Sequence, residues 1–200
     1  MIETGAEFLV IGGGAVGLST AQALLQAGHR VTLLERDAIG REASWAGGGI
    51  LSPLCPWDYS DEVTRLTSRG AALFPDWVQE LREATGIDPE YDRSGMLVLP
   101  PCDERRALHW CEAHKMPVEK VAAAEYVAST HGAALFLPQV AQVRNPRLLR
   151  ALRKRVEMLG GRIIEQCAVR EVLAEGGQVG KLLTSCGEFS ADRYVVTAGA

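Results

Sequence analysis

The sequence predicts an α/β fold built on a parallel sheet, and three observations carry that expectation. A short apolar run, Phe8-Leu9-Val10-Ile11, breaks at Gly12-Gly13-Gly14 and gives way to a helical pattern. A second apolar run, Val31-Thr32-Leu33-Leu34, follows that helix at once. The same strand-and-helix alternation returns in the last third of the chain, around a middle of mixed character. Short unbroken apolar runs are what strands covered on both faces require.

The elements follow in order. Phe8–Ile11 is the first strand. Ala15 to Ala27 is a helix, with Leu18, Ala21, Leu24 and Leu25 on one side and Gly28 as its stop. Val31–Leu34 is the second strand, ending at Glu35. Residues 40–53 read as a loop rich in Gly, Ala and Ser. Ser60 is placed to cap a long amphipathic helix carrying Val63, Leu66, Leu73, Phe74, Trp77, Val78 and Leu81. Pro75 is expected to kink or divide it, and Gly86 and Pro89 to end it. Met96–Leu99 is a strand closed by Pro100-Pro101. Asp103 caps a helix to about Lys115, and a short helix is expected near Ala122–Ser129. Ala133–Leu137 and Ala141–Val143 read as strands. Asn145-Pro146 opens a helix to Leu159. Arg162–Gln166 is a strand, Val169–Ala174 and Lys181–Ser185 a hairpin around Gly176-Gly177, and Tyr194–Thr197 the last strand.

The bulk numbers fit this class. The chain has 200 residues, 47% hydrophobic and 23% charged, ordinary for a globular protein with a real core. A net charge of −4 gives no basic face to neutralise phosphates, so no nucleic-acid partner is expected. No run approaches the roughly 18 apolar residues that span a bilayer, so no membrane partner is expected either. The five cysteines are scattered, without a C-x-x-C. With no secretory leader in view, that pattern points to free thiols in the cytoplasm.

The chemistry concentrates in the first turn. Gly12-x-Gly14-x-x-Gly17 sits between a strand and a helix. Its first glycine permits the tight turn, its second lets the backbone approach a pyrophosphate, and its third lets helix and strand pack closely. The helix N-terminus offers N–H groups and a positive dipole end to phosphates. Glu35 ends the next strand, where a carboxylate accepts hydrogen bonds from a ribose, and its charge beside Arg36 opposes a 2′-phosphate. Together these specify a Rossmann-like dinucleotide site. A second donor-rich segment, Ser44 with Gly47-Gly48-Gly49, follows the acidic strand end and suits a longer cofactor such as FAD.

The residues that carry a family likeness are Ile11-Gly-Gly-Gly-Ala-Val-Gly17, Glu35-Arg36, and Arg41-Glu-Ala-Ser-Trp-Ala-Gly-Gly-Gly-Ile-Leu-Ser-Pro53. Ser94–Leu99, Val143–Leu149 and Val195–Ala200 extend it. With these the chain resembles the D-amino-acid oxidase superfamily of FAD-dependent oxidoreductases, and within it the glycine oxidases of thiamine biosynthesis. The resemblance implies FAD as cofactor, with Ala15 and Val16 at the pyrophosphate turn, Glu35 and Arg36 at the adenosine ribose, and Ala43 and Ser44 along the pyrophosphate. Gly48, Gly49 and Ile50 would pass close to the flavin, and Val169 would meet adenine through its backbone. It implies a small amine or amino-acid substrate whose hydride passes to the flavin, hydrolysis of the imine, and O₂ as the electron acceptor.

Family members continue beyond the final Thr-Ala-Gly-Ala, so the chain is expected to be an N-terminal portion, inactive by itself. The substrate-binding arginine would lie outside it, and no catalytic side chain is assigned. Residues 1–53 and 146–200 are expected to form the FAD-binding domain, and 54–145 mainly a partly built α+β substrate-domain insertion. An exposed sheet edge would favour a homo-oligomer. Two alternatives fit the same residues: a flavin dehydrogenase that passes electrons to a carrier, and a non-catalytic dinucleotide-binding module.

Other features read as structure. Cys102, His109, Cys111 and His114 match no zinc-finger spacing and fall on one helix, so no metal site is expected. His29 and His131 are lone surface or loop histidines. Trp45, Trp57 and Tyr59 either wall the site or pack. Arg144 and the basic residues from Arg147 to Arg155 read as solvated.

Overall fold

The computed structural model describes residues 2–128 and 132–199; the side chains of residues 2–4 and 175 are likewise left out of the description. His131, and the end of the helix expected near Ser129, lie outside the described residues. The chain forms two compact units. The first comprises Met1–Gly48, Glu80–Pro89 and Asn145–Ala200, and the second Gly49–Gln79 and Glu90–Arg144. The division expected at residues 53/54 and 145/146 falls instead at 48/49 and 144/145, and residues 80–89 group with the first unit. Gly49–Pro53 joins the second unit because Leu51 N–H donates to the Ala141 carbonyl and Val143 N–H to the Gly49 carbonyl. Residues 80–89 join the first, where Lys154 Nζ donates to the Thr85 carbonyl at 2.7 Å.

In the first unit, β1 (Ile2–Ile11), α1 (Ala15–Gln26) and β2 (Val31–Leu34) form the strand–helix–strand start. α2 (Ala43–Ala46) is a single helical turn within the expected loop. Two elements of the second unit come next, α3 (Asp61–Thr85), which ends in the first, and β3 (Met96–Val98), followed by α4 (Glu104–Ala113), β4 (Glu119–Ala122) and β5 (Ala133–Leu137). The chain returns to the first unit with α5 (Asn145–Met158), β6 (Arg162–Ile164), β7 (Val169–Glu175), β8 (Gln178–Thr184) and β9 (Gly187–Val196).

The sheet of the first unit runs β6-β2-β1-β9-β8-β7. β6, β2, β1 and β9 pair in parallel, and β8 pairs antiparallel with both β9 and β7. Leu9 shares one face with Leu34, Leu182, Phe189 and Cys167 in a buried cluster. Successive strand residues alternate, so the buried Val10 and Leu33 point to the opposite face. α1 lies beside α5, and Leu18 and Ala21 of the one and Leu148, Ala151, Leu152 and Val156 of the other are buried. The β7–β8 turn places Gly176 at φ 60 and Gly177 at φ 80, the paired positive values that a tight hairpin turn matching strand twist requires.

The second unit holds an antiparallel sheet, β3-β5-β4, over a core of Trp57, Ala107, Cys111, Leu135, Leu137 and Val140. Asp103 caps α4, its carboxylate accepting from Arg106 N–H at 3.0 Å.

Several expectations change. α3 runs undivided through Pro75, since a proline removes one backbone donor and the apolar stripe continues on both sides of it. β4 and the first half of β9 were not expected, because their exposed residues are polar and interrupt the apolar pattern. The strand expected at 141–143 reduces to isolated bridges from Gln142 to Ile50 and Asp92. Among the described residues no helix is long and apolar enough to cross a membrane.

Candidate cofactor-binding site

The C-terminal ends of β1, β2 and β9 meet the N-terminus of α1 around a cleft of about 390 Å³, within the size range of small-molecule sites. Its walls explain why the turn needs glycine. Gly12 has φ 106, and a Cβ there would strike the Thr197 carbonyl. A Cβ on Gly17 would overlap the Gly12 carbonyl oxygen and lie 2.7 Å from Thr197 Oγ1. A Cβ on Gly14 would lie 2.9 Å from Ser44 Oγ. The backbone is therefore packed as tightly as the third glycine of such a turn demands, and it opens onto the cleft at the second.

Glu35 is the electrostatic centre. It is 7% exposed yet held by two backbone donors, Gly13 N–H to Oε2 at 2.7 Å and Asp37 N–H to Oε1 at 3.0 Å. Those bonds satisfy part of a buried carboxylate's demand for donors. Arg36 is exposed and lies between Glu42, at 3.2 Å, and Asp37, at 3.6 Å. Ser44 Oγ accepts from Ala15 N–H at 3.0 Å, which engages one of the donors at the start of α1. Val16 is 68% exposed at the same helix end.

Of the residues expected at the site, Gly12, Gly14, Ala15, Val16, Glu35, Arg36, Ala43, Ser44 and Val169 line the cleft. Gly17 packs beneath it. Gly48, Gly49 and Ile50 are not among the lining residues, and the last two belong to the second unit.

Sequence reasoning missed Thr197. Its N–H donates to the Ile11 carbonyl at 2.8 Å, and its hydroxyl reaches the Ile11 and Gly12 carbonyls, each at 3.0 Å. It clamps the glycine turn to the end of β9. Arg41 was also missed as a lining residue; its guanidinium lies 4.1 Å from the centre of the Trp45 ring, a cation–π contact. A further support lies behind the cleft. Glu165 Oε1 accepts from Ile39 N–H at 2.8 Å, and Arg153 grips both its oxygens at 3.1 and 2.9 Å. Burial pushes the Glu165 carboxyl up, but the Ile39 N–H and Arg153 outweigh it and hold it below its ordinary value.

The chain matches the model of the DAO family, FAD dependent oxidoreductase, over residues 7–200. The chain belongs to this family. It is 42% identical over 199 residues to a glycine oxidase of Pseudomonas aeruginosa, a match covering 96% of this chain and 55% of that protein. It is 29% identical over 205 residues to the bifunctional protein ThiO/ThiG of Synechocystis, covering 100% of this chain and 30% of that one. The crystal structure of a glycine oxidase from Geobacillus kaustophilus superposes with a TM-score of 0.88 at 27% identity, over 98% of this chain and 55% of that one. The chain thus spans about half the length of the glycine oxidases it matches. The mixed α/β fold with a parallel sheet is similar to that of this glycine oxidase structure, and FAD is the family's cofactor.

The remaining candidates take structural roles. Trp57 packs in the core of the second unit, and Tyr59 is exposed. Cys111 is buried, while His114 Nδ1 lies 2.9 Å from the Trp110 carbonyl and its ring stacks on Trp110. His29 lies 3.5 Å from Glu7. Arg144, expected to be solvated, is exposed but pairs with Glu90 at 3.5 Å. The basic face expected along α5 is only partly solvated: Arg147 Nε donates to the Asp88 carbonyl and Arg153 is engaged as above, because acidic and carbonyl groups lie within reach of a helix that the sequence pattern alone treats as bare.

Proposed function

We propose that the first unit is a Rossmann-like FAD-binding domain of a glycine-oxidase-like amine oxidase, and that the second is part of an α+β substrate domain inserted into it. The observation that carries this reading is the cleft at the start of α1, where Gly12, Gly14 and Gly17 leave no room for side chains and Glu35 stands beside the turn.

The residues present fit FAD. The glycine backbone gives a pyrophosphate close access, and Ala15 and Val16 present it with the start of α1. Ser44 already accepts from Ala15 N–H, so its own O–H is left to donate to a phosphate oxygen, with Ala43 beside it. Glu35 accepts from the adenosine ribose, with Arg36 alongside, and the Val169 backbone meets adenine. Gly48, at the end of the same segment of the first unit, continues toward the flavin end. FAD, when bound, supplies the two-electron acceptor for oxidation of the substrate's amine-bearing C–H bond, and O₂ takes the electrons on to give hydrogen peroxide. The substrate is glycine or another small amine or D-amino acid, and the 42% identity to a glycine oxidase and the ThiO/ThiG likeness support a place in thiamine biosynthesis.

Because the chain spans about half the length of the glycine oxidases it matches, the test uses the purified full-length protein supplied with FAD. Flavin absorbance that stays with the protein, and oxygen uptake with peroxide release on glycine, sarcosine or D-alanine, are the expected results. Bound flavin with reduction of an artificial electron acceptor but no oxygen uptake would replace the oxidase by a carrier-linked dehydrogenase. No bound flavin at all would sink the reading.

A further inference from the structure

Two cysteines meet at the wall of the cleft. Cys167 follows β6, lines the cleft and is 1% exposed. Cys186 lies in the two-residue turn between β8 and β9 and is exposed. Hydrogen bonds tie the two segments together. Ser185 N–H donates to the Ala168 carbonyl at 2.9 Å, Ala168 N–H to Ser185 Oγ at 2.9 Å, and the Ser185 hydroxyl to the Gln166 carbonyl at 3.1 Å. Thr184 Oγ1 accepts from both the Cys167 thiol, at 3.3 Å, and Cys186 N–H, at 3.1 Å. The Cys186 thiol reaches the Gln166 carbonyl at 3.5 Å, so both cysteines sit on the same two groups, the Thr184 hydroxyl and the segment from Gln166 to Ala168. An exposed thiol with a second thiol close by is the arrangement in which a sulfenic acid can be resolved to a disulfide.

We propose that Cys167 and Cys186 are a redox modification site, which hydrogen peroxide converts to an intramolecular disulfide at the wall of the cofactor cleft and a thiol reductant restores. The exposed Cys186 thiolate attacks one peroxide oxygen. The O–O bond breaks, a sulfenic acid forms on Cys186, and the departing hydroxide takes up a proton as water. The Cys167 sulfur then attacks the Cys186 sulfur. The S–S bond forms as the S–O bond breaks, and the second hydroxide leaves as water with the Cys167 proton. Each sulfur loses one electron and the peroxide gains two. Burial pushes the Cys167 thiol up from its ordinary value, so the exposed Cys186 is the sulfur that meets peroxide first. The Val169 backbone assigned above to adenine follows Cys167 by two residues, so the bridge changes the wall where the adenosine end binds and loosens FAD. The supply of peroxide by the protein itself rests on the oxidase reading; the disulfide requires only that peroxide be present.

The experiment adds hydrogen peroxide directly to purified protein, with and without FAD, and reads thiol count, intact mass and peptide mapping. The expected result is a fall from five thiols to three, a mass lower by two hydrogen atoms, and a Cys167–Cys186 cross-linked peptide that dithiothreitol reverses. Bound FAD should slow the reaction, and oxidation should lower FAD affinity. Cys186→Ser, in an exposed turn, should keep its fold by circular dichroism, form no bridge and leave Cys167 a free thiol. Oxidation of Cys186 to sulfinic or sulfonic acid without a cross-link, a bridge between two chains, or a bridge confined to other cysteines would each overturn the proposal. A protein that binds no FAD yet forms the bridge would refute the cofactor reading alone. One that turns over with FAD but never bridges would refute only this pair.

Discussion

Replacing Gly17 by alanine tests the packing argument at its tightest point. Alanine favours a helix over glycine by about 1 kcal/mol, so propensity alone would stabilise α1. The added Cβ, however, would overlap the Gly12 carbonyl oxygen and press on Thr197 Oγ1 at 2.7 Å. A backbone carbonyl fixed between two strands cannot rotate away as a side chain does, which sets the cost at the upper end of overpacking, about 3 kcal/mol. The net loss is then about 2 kcal/mol, which for a chain of this size lowers the thermal midpoint by about 4–8 °C. α1 must also move away from the turn, so FAD should bind at least about tenfold more weakly, a change of about 1.4 kcal/mol. Gly70 in α3 is the control: a Cβ there meets nothing within 4 Å, and Gly70→Ala should raise stability by about 0.5–1 kcal/mol. Thermal unfolding by circular dichroism and titration of FAD fluorescence read both effects. A Gly17→Ala protein that melts at or above the wild-type temperature would refute the close-packing argument.

Three further changes probe the cleft and its support. Glu35→Gln places an NH₂ group against one of the two backbone donors, so it should cost about 1.5–3 kcal/mol, as for a lost bond to a charged acceptor. A melting temperature equal to wild type would show that the Gly13 and Asp37 bonds contribute nothing. Ser44→Ala removes the acceptor for Ala15 N–H and should destabilise by about 1 kcal/mol, as loss of a helix cap does, with weaker flavin retention on gel filtration; undiminished retention would count against Ser44 as a phosphate ligand. The folded Glu165 carboxyl lies below its ordinary 4.5. Its stabilisation is therefore fully present above that value and lost as pH falls through the folded pKa. Glu165→Gln should flatten the acid limb of a stability–pH curve in that window, and an unchanged limb would remove Glu165 as its cause.

The start of the chain was legible because each of its signals is local. Phe8–Ile11, the glycines and Val31–Leu34 lie within one strand–helix–strand unit, and β2 has the expected bounds. β9 was legible only in its apolar end. From Gly187 to Arg193 only Phe189 is a large apolar residue, set among charged, polar and small groups, because the rest of that stretch is partly exposed. Thr197 escaped for a different reason. Its clamp joins residues 186 positions apart and depends on the parallel register that sets Val196 beside Ile11. A threonine after an apolar strand end was the available signal, but nothing local says which carbonyls it will meet. Glu165 escaped for the same reason: its partners, Ile39 N–H and Arg153, come from elements that only the fold brings together.

Glu35 shows how one side chain can serve both the fold and the proposed site. An ionised carboxylate offers about four lone-pair sites. The Gly13 and Asp37 N–H groups occupy one on each oxygen. They fix the carboxylate's plane and tie the glycine turn to the end of β2. The remaining acceptor capacity lies in a residue that lines the cleft, where ribose hydroxyls are the donors of matching chemistry. A buried carboxylate left with part of that capacity unmet is costly, so a hydroxyl-bearing ligand recovers free energy that water would otherwise have to supply. That asymmetry argues for a carboxylate rather than an amide at position 35: the amide would turn its NH₂ on one of the two backbone donors and offer fewer acceptor sites to a ribose, and the turn and the site would weaken at once.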